Sequence, residues 1–216
     1  MIKNKQKEKW KMTREEKIES LIQTEWDEFQ KVQNEGGRAS CQDDPKTFFI
    51  MRRSQFTPWP EELIDSYRED LKEAKEIGRN LLAEKYGWMM EHTAPAQFRA
   101  IRHLLKAPSL LGEQMMEEIT DIQLSWMKMY RSQYPVMASG NRALYAEEDT
   151  PFETSFETYL KGELHTYSDG TLQKYLRFVK ELQQDGKNLT LLIMEAQVQA
   201  YGYRDLQDAE EQLARR

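Results

Sequence analysis

The chain has 216 residues, a formal net charge of -6, 31% charged and 11% aromatic residues, and a mean hydropathy of -0.84. That length supports one substantial core, and the composition describes a soluble globular domain with a heavily charged outer face. It argues against a general nucleic-acid binder, which carries a basic stripe to neutralise phosphates, and the longest apolar run, near Leu191 to Met194, is too short to span a bilayer.

Residues 1–12, with the basic cluster Lys3 to Lys11, read as a solvated N-terminal tail. Thr13 and Glu16 form a capping box, and Ile18, Leu21, Ile22, Trp26, Phe29 and Val32 recur at three- and four-residue steps. This predicts an amphipathic helix over 13–34, stopped by Gly36. Asp44 as N-cap with Pro45 behind it starts a second helix, and Thr57 to Pro60 breaks it. Leu63, Ile64, Tyr67, Leu71, Ala74 and Ile77 mark a third, which stops at Gly78. Asn80 caps a fourth running to about Thr93, and Pro95 opens a short connecting helix that ends before Pro108.

From Ser109 the pattern restarts with a long helix through Ile119, Ile122, Trp126, Met129 and Tyr130, stopped by Pro135. A long loop is expected over Val136 to Asp149, followed by a helix launched by Thr150, Pro151 and Glu153. Asp169 and Gly170 punctuate, a further helix carries Leu172, Tyr175, Leu176, Val179 and Leu182, and Asp185 to Asn188 separates it from the next. No segment alternates as a strand does, so the expected fold is all-α.

The two halves also resemble each other. "IQTEW" at Ile22 to Trp26 matches "IQLSW" at Ile122 to Trp126, "GGRA" at Gly36 to Ala39 matches "GNRA" at Gly140 to Ala143, and "GRNL" at Gly78 to Leu81 matches "GKNL" at Gly186 to Leu189. The offset between partners grows only across loops and helix joints, where insertions are tolerated. The expected architecture is a single domain of two duplicated halves, 13–93 and 109–203. A connector at 94–108 joins them, a pseudo-twofold axis relates them, and a C-terminal helix at 204–216 follows. The helices carrying Trp26 and Trp126 are expected to be its central partners.

The paired positions supply the candidate site. Arg38 and Arg142 sit in the two glycine loops, where a guanidinium offers a rigid fork to a carboxylate or phosphate; the plainer role for each is an internal pair with Asp43 or Glu148. Gln23 with Trp26, and Gln123 with Trp126, share helix faces that also suit a packed core. Asn80 and Asn188 fit helix N-caps, and with Arg79 and Lys187 beside them the same helix ends suit an anion. Cys41 is the one candidate nucleophile, with no His near it in sequence. As a lone cysteine it can form no internal disulfide, which fits a reducing cytoplasm. The acidic run Glu147, Glu148, Asp149, Glu153 and Glu157, with Asp43 and Asp44, could hold Mg²⁺ or supply an acid/base pair, although helix capping explains most of it. His92, His103 and His165 are dispersed, so no metal site is assigned, and no cofactor motif occurs.

The strings "EWDEFQKVQNEGGRASCQDD", "SQFTPWPEELIDSYREDLKEAKEIGRNLL" and "TSFETYLKGELHTYS" resemble the bacterial domain of unknown function 4125 family, over about Glu25 to Asn188. The resemblance implies no established activity. It implies a bacterial source and a loose association with nucleotidyltransferase-like proteins, hence a nucleotide-handling setting. The functional expectation is a cytoplasmic binding protein that receives a small anionic or nucleotide-like ligand in a cleft between its halves. The alternatives are an enzyme using Cys41 or a carboxylate/metal site in that cleft, and a structural partner of a nucleotidyltransferase-like protein.

Overall fold

A computed structural model of the protein describes residues 12–33 and 37–215. Gly36 and the basic N-terminal cluster lie outside the described residues. Eleven α-helices follow in order: α1 Arg14–Phe29, α2 Pro45–Phe56, α3 Glu61–Glu76, α4 Leu81–Thr93, α5 Pro95–Ile101, α6 Leu110–Gln133, α7 Pro135–Ala138, α8 Phe156–Leu164, α9 Asp169–Gln184, α10 Leu189–Ala200 and α11 Leu206–Ala214. Three 3-10 turns lie at Ser40–Asp43, Arg102–Leu104 and Ala146–Glu148, and no strand occurs among the described residues. None of these helices is long and apolar enough to cross a membrane.

Local chemistry sets the helix starts. The Thr13 and Glu16 capping box opens α1, Asp44 accepts from the Thr47 N–H ahead of Pro45, and Asn80 and Asn188 accept from the Ala83 and Leu191 N–H groups. Gly78 and Gly186 take positive φ, 74° and 67°, where a side chain is strained. The amides just beyond them, Arg79 and Lys187, reach back to the carbonyls of Ala74 and Leu182, both at 2.8 Å.

Four expected boundaries differ. The first helix, expected over 13–34, ends at Phe29 with Gln30 as its C-cap. Thr150 caps only a turn, accepting from the Phe152 and Glu153 amides, whereas Ser155 is the N-cap of α8. Asp149 decides this, because its carboxylate takes both the Ser155 N–H and the Thr158 hydroxyl. Asp169 and Gly170 are the first residues of α9 under the Ser168 cap. The expected loop after Pro135 contains α7 and a 3-10 turn, since Pro at a first helical position needs no N–H there.

The core is made by α3 and α9, which pack on each other. They bury Leu63, Ile64, Tyr67 and Leu71 on one side and Leu172, Tyr175, Phe178 and Val179 on the other. Each such side chain contributes about 1.5–3 kcal/mol to folding. Around them, α4 packs on α8 and α10 packs on α2. α1 and α6, expected to be central partners, instead pack mainly on other helices, α1 on α2, α3 and α4, and α6 on α7, α8, α9 and α10, and each adds buried residues such as Leu21 and Ile119 to the core. The α4–α8 approach is close because of Gly162, where a Cβ would stand 2.7 Å from Met89 Cγ.

Hydrogen bonds in the two halves suggest another register for comparing them than the Trp26 and Trp126 match. Asn80 Nδ2 donates to the Glu28 carbonyl, whereas Asn188 Nδ2 donates to the Trp126 carbonyl. Tyr67 Oη meets Glu25, and Tyr175 Oη meets Gln123. Both comparisons set Glu25 opposite Gln123 and Glu28 opposite Trp126, two residues out of step with the IQ-x-x-W match. In this register the buried positions Ile18, Leu21, Ile22 and Val32 fall on the buried positions Met116, Ile119, Thr120 and Tyr130.

Candidate functional site

Four charged side chains meet inside the bundle, one each from α1, α2, α4 and α8. Arg52 donates to Glu25 through two bonds, Nε to Oε2 at 2.6 Å and Nη2 to Oε1 at 2.5 Å, and its Nη2 also meets Glu163 Oε1 at 3.1 Å. Lys85 Nζ donates to Glu163 Oε2 at 2.6 Å. Tyr67 Oη completes Glu25 at 2.9 Å, and Tyr167 Oη and Gln55 Nε2 complete Glu163, each at 3.0 Å. Two cations balance two carboxylates, and all four are buried, Glu25 fully.

Burial alone would raise the Glu163 carboxyl, but Arg52 and Lys85 outweigh it and hold the group well below the ordinary carboxylate range. Burial would lower Lys85, and the Glu163 charge reverses that. Burial drives the Tyr67 and Tyr167 hydroxyls well up, and the Glu25 and Glu163 charges add to it, so both stay protonated donors.

Arg52 and Glu163 form part of the wall of a cavity of about 380 Å³ between α2 and the second half. Its apolar lining includes Met51, Met127, Phe156, Leu160, Ile193 and Met194. Its polar lining includes Gln123, Tyr175 and Thr190, all more than nine-tenths buried, and Arg131, Asn141 and Arg142 from α6 and the loop after α7. Gln123 Nε2 donates to Tyr175 Oη at 3.1 Å, which leaves the Gln123 carbonyl oxygen and the Tyr175 O–H proton unused. Arg142 donates to the Thr154 carbonyl at 3.1 Å, and its guanidinium carbon lies 4.9 Å from the Tyr159 ring centre. Arg131 donates to the Arg142 carbonyl and keeps a buried Nε without a partner. The cavity has the mostly apolar wall and few convergent polar groups of a small-molecule site. A groove of about 490 Å³ also runs between α1 and α3, where Lys72 pairs with Glu69 and Arg68 with Asp65.

Of the residues singled out in the sequence, Arg142 and Gln123 reach the cavity. Arg38 does not. It donates to Asp43 and to the Gln42 carbonyl, each at 2.7 Å, and to Gln30, which is the internal pairing the loop chemistry allowed. Gln23 is exposed and bonds Asp27. Trp26 packs among Phe29, Phe48 and Phe49, while Trp126 is buried in the core. Asn80 and Asn188 are caps that also tie α4 to α1 and α10 to α6. Cys41 is exposed and off the cavity wall. In the acidic run, Glu148 serves the Leu144 and Tyr145 amides, and Glu157 the Ala146 amide and Lys161.

The charge cluster went unseen in the sequence because its members come from four helices. One signal was present, since Glu25 stands between Ile22 and Phe29 on the buried stripe of α1, where a carboxylate needs a buried partner.

A family described as "Protein of unknown function (DUF4125)" matches residues 15–211. No curated protein and no solved structure matches the chain. With nearly its whole length matched, including every helix that lines the cavity, the chain belongs to the DUF4125 family.

Proposed function

We propose that this protein binds a small anionic ligand in the cavity between its two halves, and that the halves are duplicated units related by a pseudo-twofold axis. The observation that carries the ligand reading is the cavity itself, with Arg131 and Arg142 at one side and unspent hydrogen-bonding groups on the buried Gln123 and Tyr175 at another. Of the charged side chains on its wall, three are arginines and one, Glu163, is a carboxylate already engaged by Arg52 and Lys85. An anion at this wall therefore meets more positive than negative charge.

The reciprocal packing of α4 on α8 and α10 on α2 supports duplication, as do the matching Asn80 and Asn188 bonds and the Tyr67–Glu25 and Tyr175–Gln123 pairs. Matching the N-caps Asp44 and Ser155 sets Arg52 opposite Glu163. A position that meets its own equivalent across a twofold axis repels if both copies carry one charge, so this pair stands as a product of divergence after duplication. The Arg52–Glu163 and Lys85–Glu163 bonds then lock the halves in one arrangement and hold the cavity's shape.

Native mass spectrometry of protein purified from its own host tests the ligand reading. A non-covalent adduct of a small acid is expected, and it is lost in Arg142→Ala. Wild-type protein that retains no adduct and gains none from added organic acids or phosphates contradicts it.

A further inference from the structure

We infer that the ligand is a flat aromatic acid whose ring takes, in the second half, the place that the Phe29 ring fills in the first. This rests on the ligand-binding reading above, on the register set by the Asn80/Asn188 and Tyr67/Tyr175 bonds, and, for α2 and α8, on the match of the N-caps Asp44 and Ser155.

In the first half the Phe29 ring is stacked between Phe48, 5.4 Å away at 13°, and Tyr86, 6.0 Å away at 28°. The register sets Phe29, Phe48 and Tyr86 opposite Met127, Tyr159 and Met194. All three of the latter line the cavity, so three stacked rings in one half correspond to one ring, two methionines and an empty volume in the other. Gly162 lets α8 close on α4, and the position opposite it is Met51, so α2 carries a side chain where α8 has none.

The chemistry of the wall favours a ring. Thioethers make good contacts to aromatic edges, and Met51, Met127 and Met194 line the cavity together with the Tyr159 ring. The polar groups sit where substituents would need them. Arg142 and Arg131 offer donors to a carboxylate or phosphate, and the Gln123–Tyr175 pair offers one acceptor and one donor to a phenolic hydroxyl or ring N–H. In the first half the residue opposite Gln123 is Glu25, which is consumed by Arg52, so only the second half keeps a neutral, readable edge.

The test is a set of melting curves with 4-hydroxyphenylacetate, indole-3-acetate and phenyl phosphate against octanoate and hexyl phosphate, on the wild type and on Met127→Phe. Met127→Phe restores the ring of the other half and should close the site without lowering the melting temperature of the free protein. At a hundredfold excess over Kd an aryl acid should raise the wild-type melting temperature by about 5 to 10 °C. The alkyl acids should bind at least about tenfold more weakly, and Met127→Phe should show no aryl shift. Alkyl acids that match or exceed the aryl acids overturn the aromatic assignment and leave the ligand reading standing. An aryl shift that survives in Met127→Phe overturns the placement of the ring. No shift with any acid overturns both readings. If Met127→Phe fails to fold, Met194→Tyr closes the same volume, and the wild-type panel still decides the ligand class.

Discussion

Replacing Glu163 by Gln changes one proton-sized group and one charge, yet it should be among the most damaging single substitutions in the protein. Glu163 accepts from Lys85 at 2.6 Å, Gln55 and Tyr167 at 3.0 Å, and Arg52 at 3.1 Å. The amide leaves only one acceptor oxygen and sets its own NH₂ against donors, while the cluster goes from neutral to one uncompensated buried cation. Breaking a buried ion pair on one side costs about 3–5 kcal/mol. For a chain of this length that is a fall of roughly 6 to 20 °C in melting temperature. Urea unfolding of the wild type, Glu163→Gln, Lys85→Met and the double variant measures it. The double variant restores neutrality, so it should be more stable than Glu163→Gln alone, which is a coupling opposite in sign to simple additivity. The acid limb carries a second signature. Because the Glu163 carboxyl is depressed in the fold, its contribution is fully present above the unfolded value of 4.5 and fades as pH falls below it. Glu163→Gln should therefore flatten the loss of stability in that window. A cost below about 1 kcal/mol, or an additive double variant, would refute the view that these four groups act as one unit.

Arg142→Ala should weaken acid binding tenfold to a hundredfold, as loss of a charge-assisted bond does, while the free protein changes by about 1 kcal/mol or less. Arg38→Ala should leave acid binding unchanged in the same titration, because its guanidinium is spent on Asp43 and Gln42 away from the cavity. Asn80→Ala and Asn188→Ala each lose a cap and a bond to the long helix of their own half, so chemical denaturation should find similar costs of about 1–2 kcal/mol for both. Cys41→Ser should keep both the melting temperature and the ligand shift, since the thiol is exposed and off the cavity wall.

Helix identity was legible wherever a local rule acts alone. The Thr13 box, the Asp44–Pro45 start, the Asn80 and Asn188 caps and the Gly78 and Gly186 stops all depend on residues within one turn. The α8 start was misread at Thr150 because the deciding group, Asp149, lies in the preceding loop and bonds Ser155 and Thr158 only once the chain has turned. The matching strings of the two halves were visible, but the register that the Asn80 and Asn188 bonds suggest was not. The identical letters in IQ-x-x-W outweigh, by eye, the burial of Leu21 and Ile22 that aligns them with Ile119 and Thr120. Of the eight expected site residues, Arg142 and Gln123 line the cavity, and Arg38 and Gln23 are spent on local partners that only the folded loop and helix reveal. The Arg52–Glu163 pair needed three-dimensional contact between residues 111 positions apart, which no local pattern reports.

The central claim is that the cavity wall of Met51, Met127 and Met194 receives a ligand. Methyl NMR of methionine-labelled protein, titrated with 4-hydroxyphenylacetate, tests it most directly, because the protein has eleven methionines and a ring shifts the methyls it touches. The account predicts saturable shifts at Met51, Met127 and Met194, with Met115 and Met116 in the core unmoved, and loss of those shifts in Arg142→Ala. Saturable shifts confined to methionines away from the cavity, or no shift at any concentration, would contradict it.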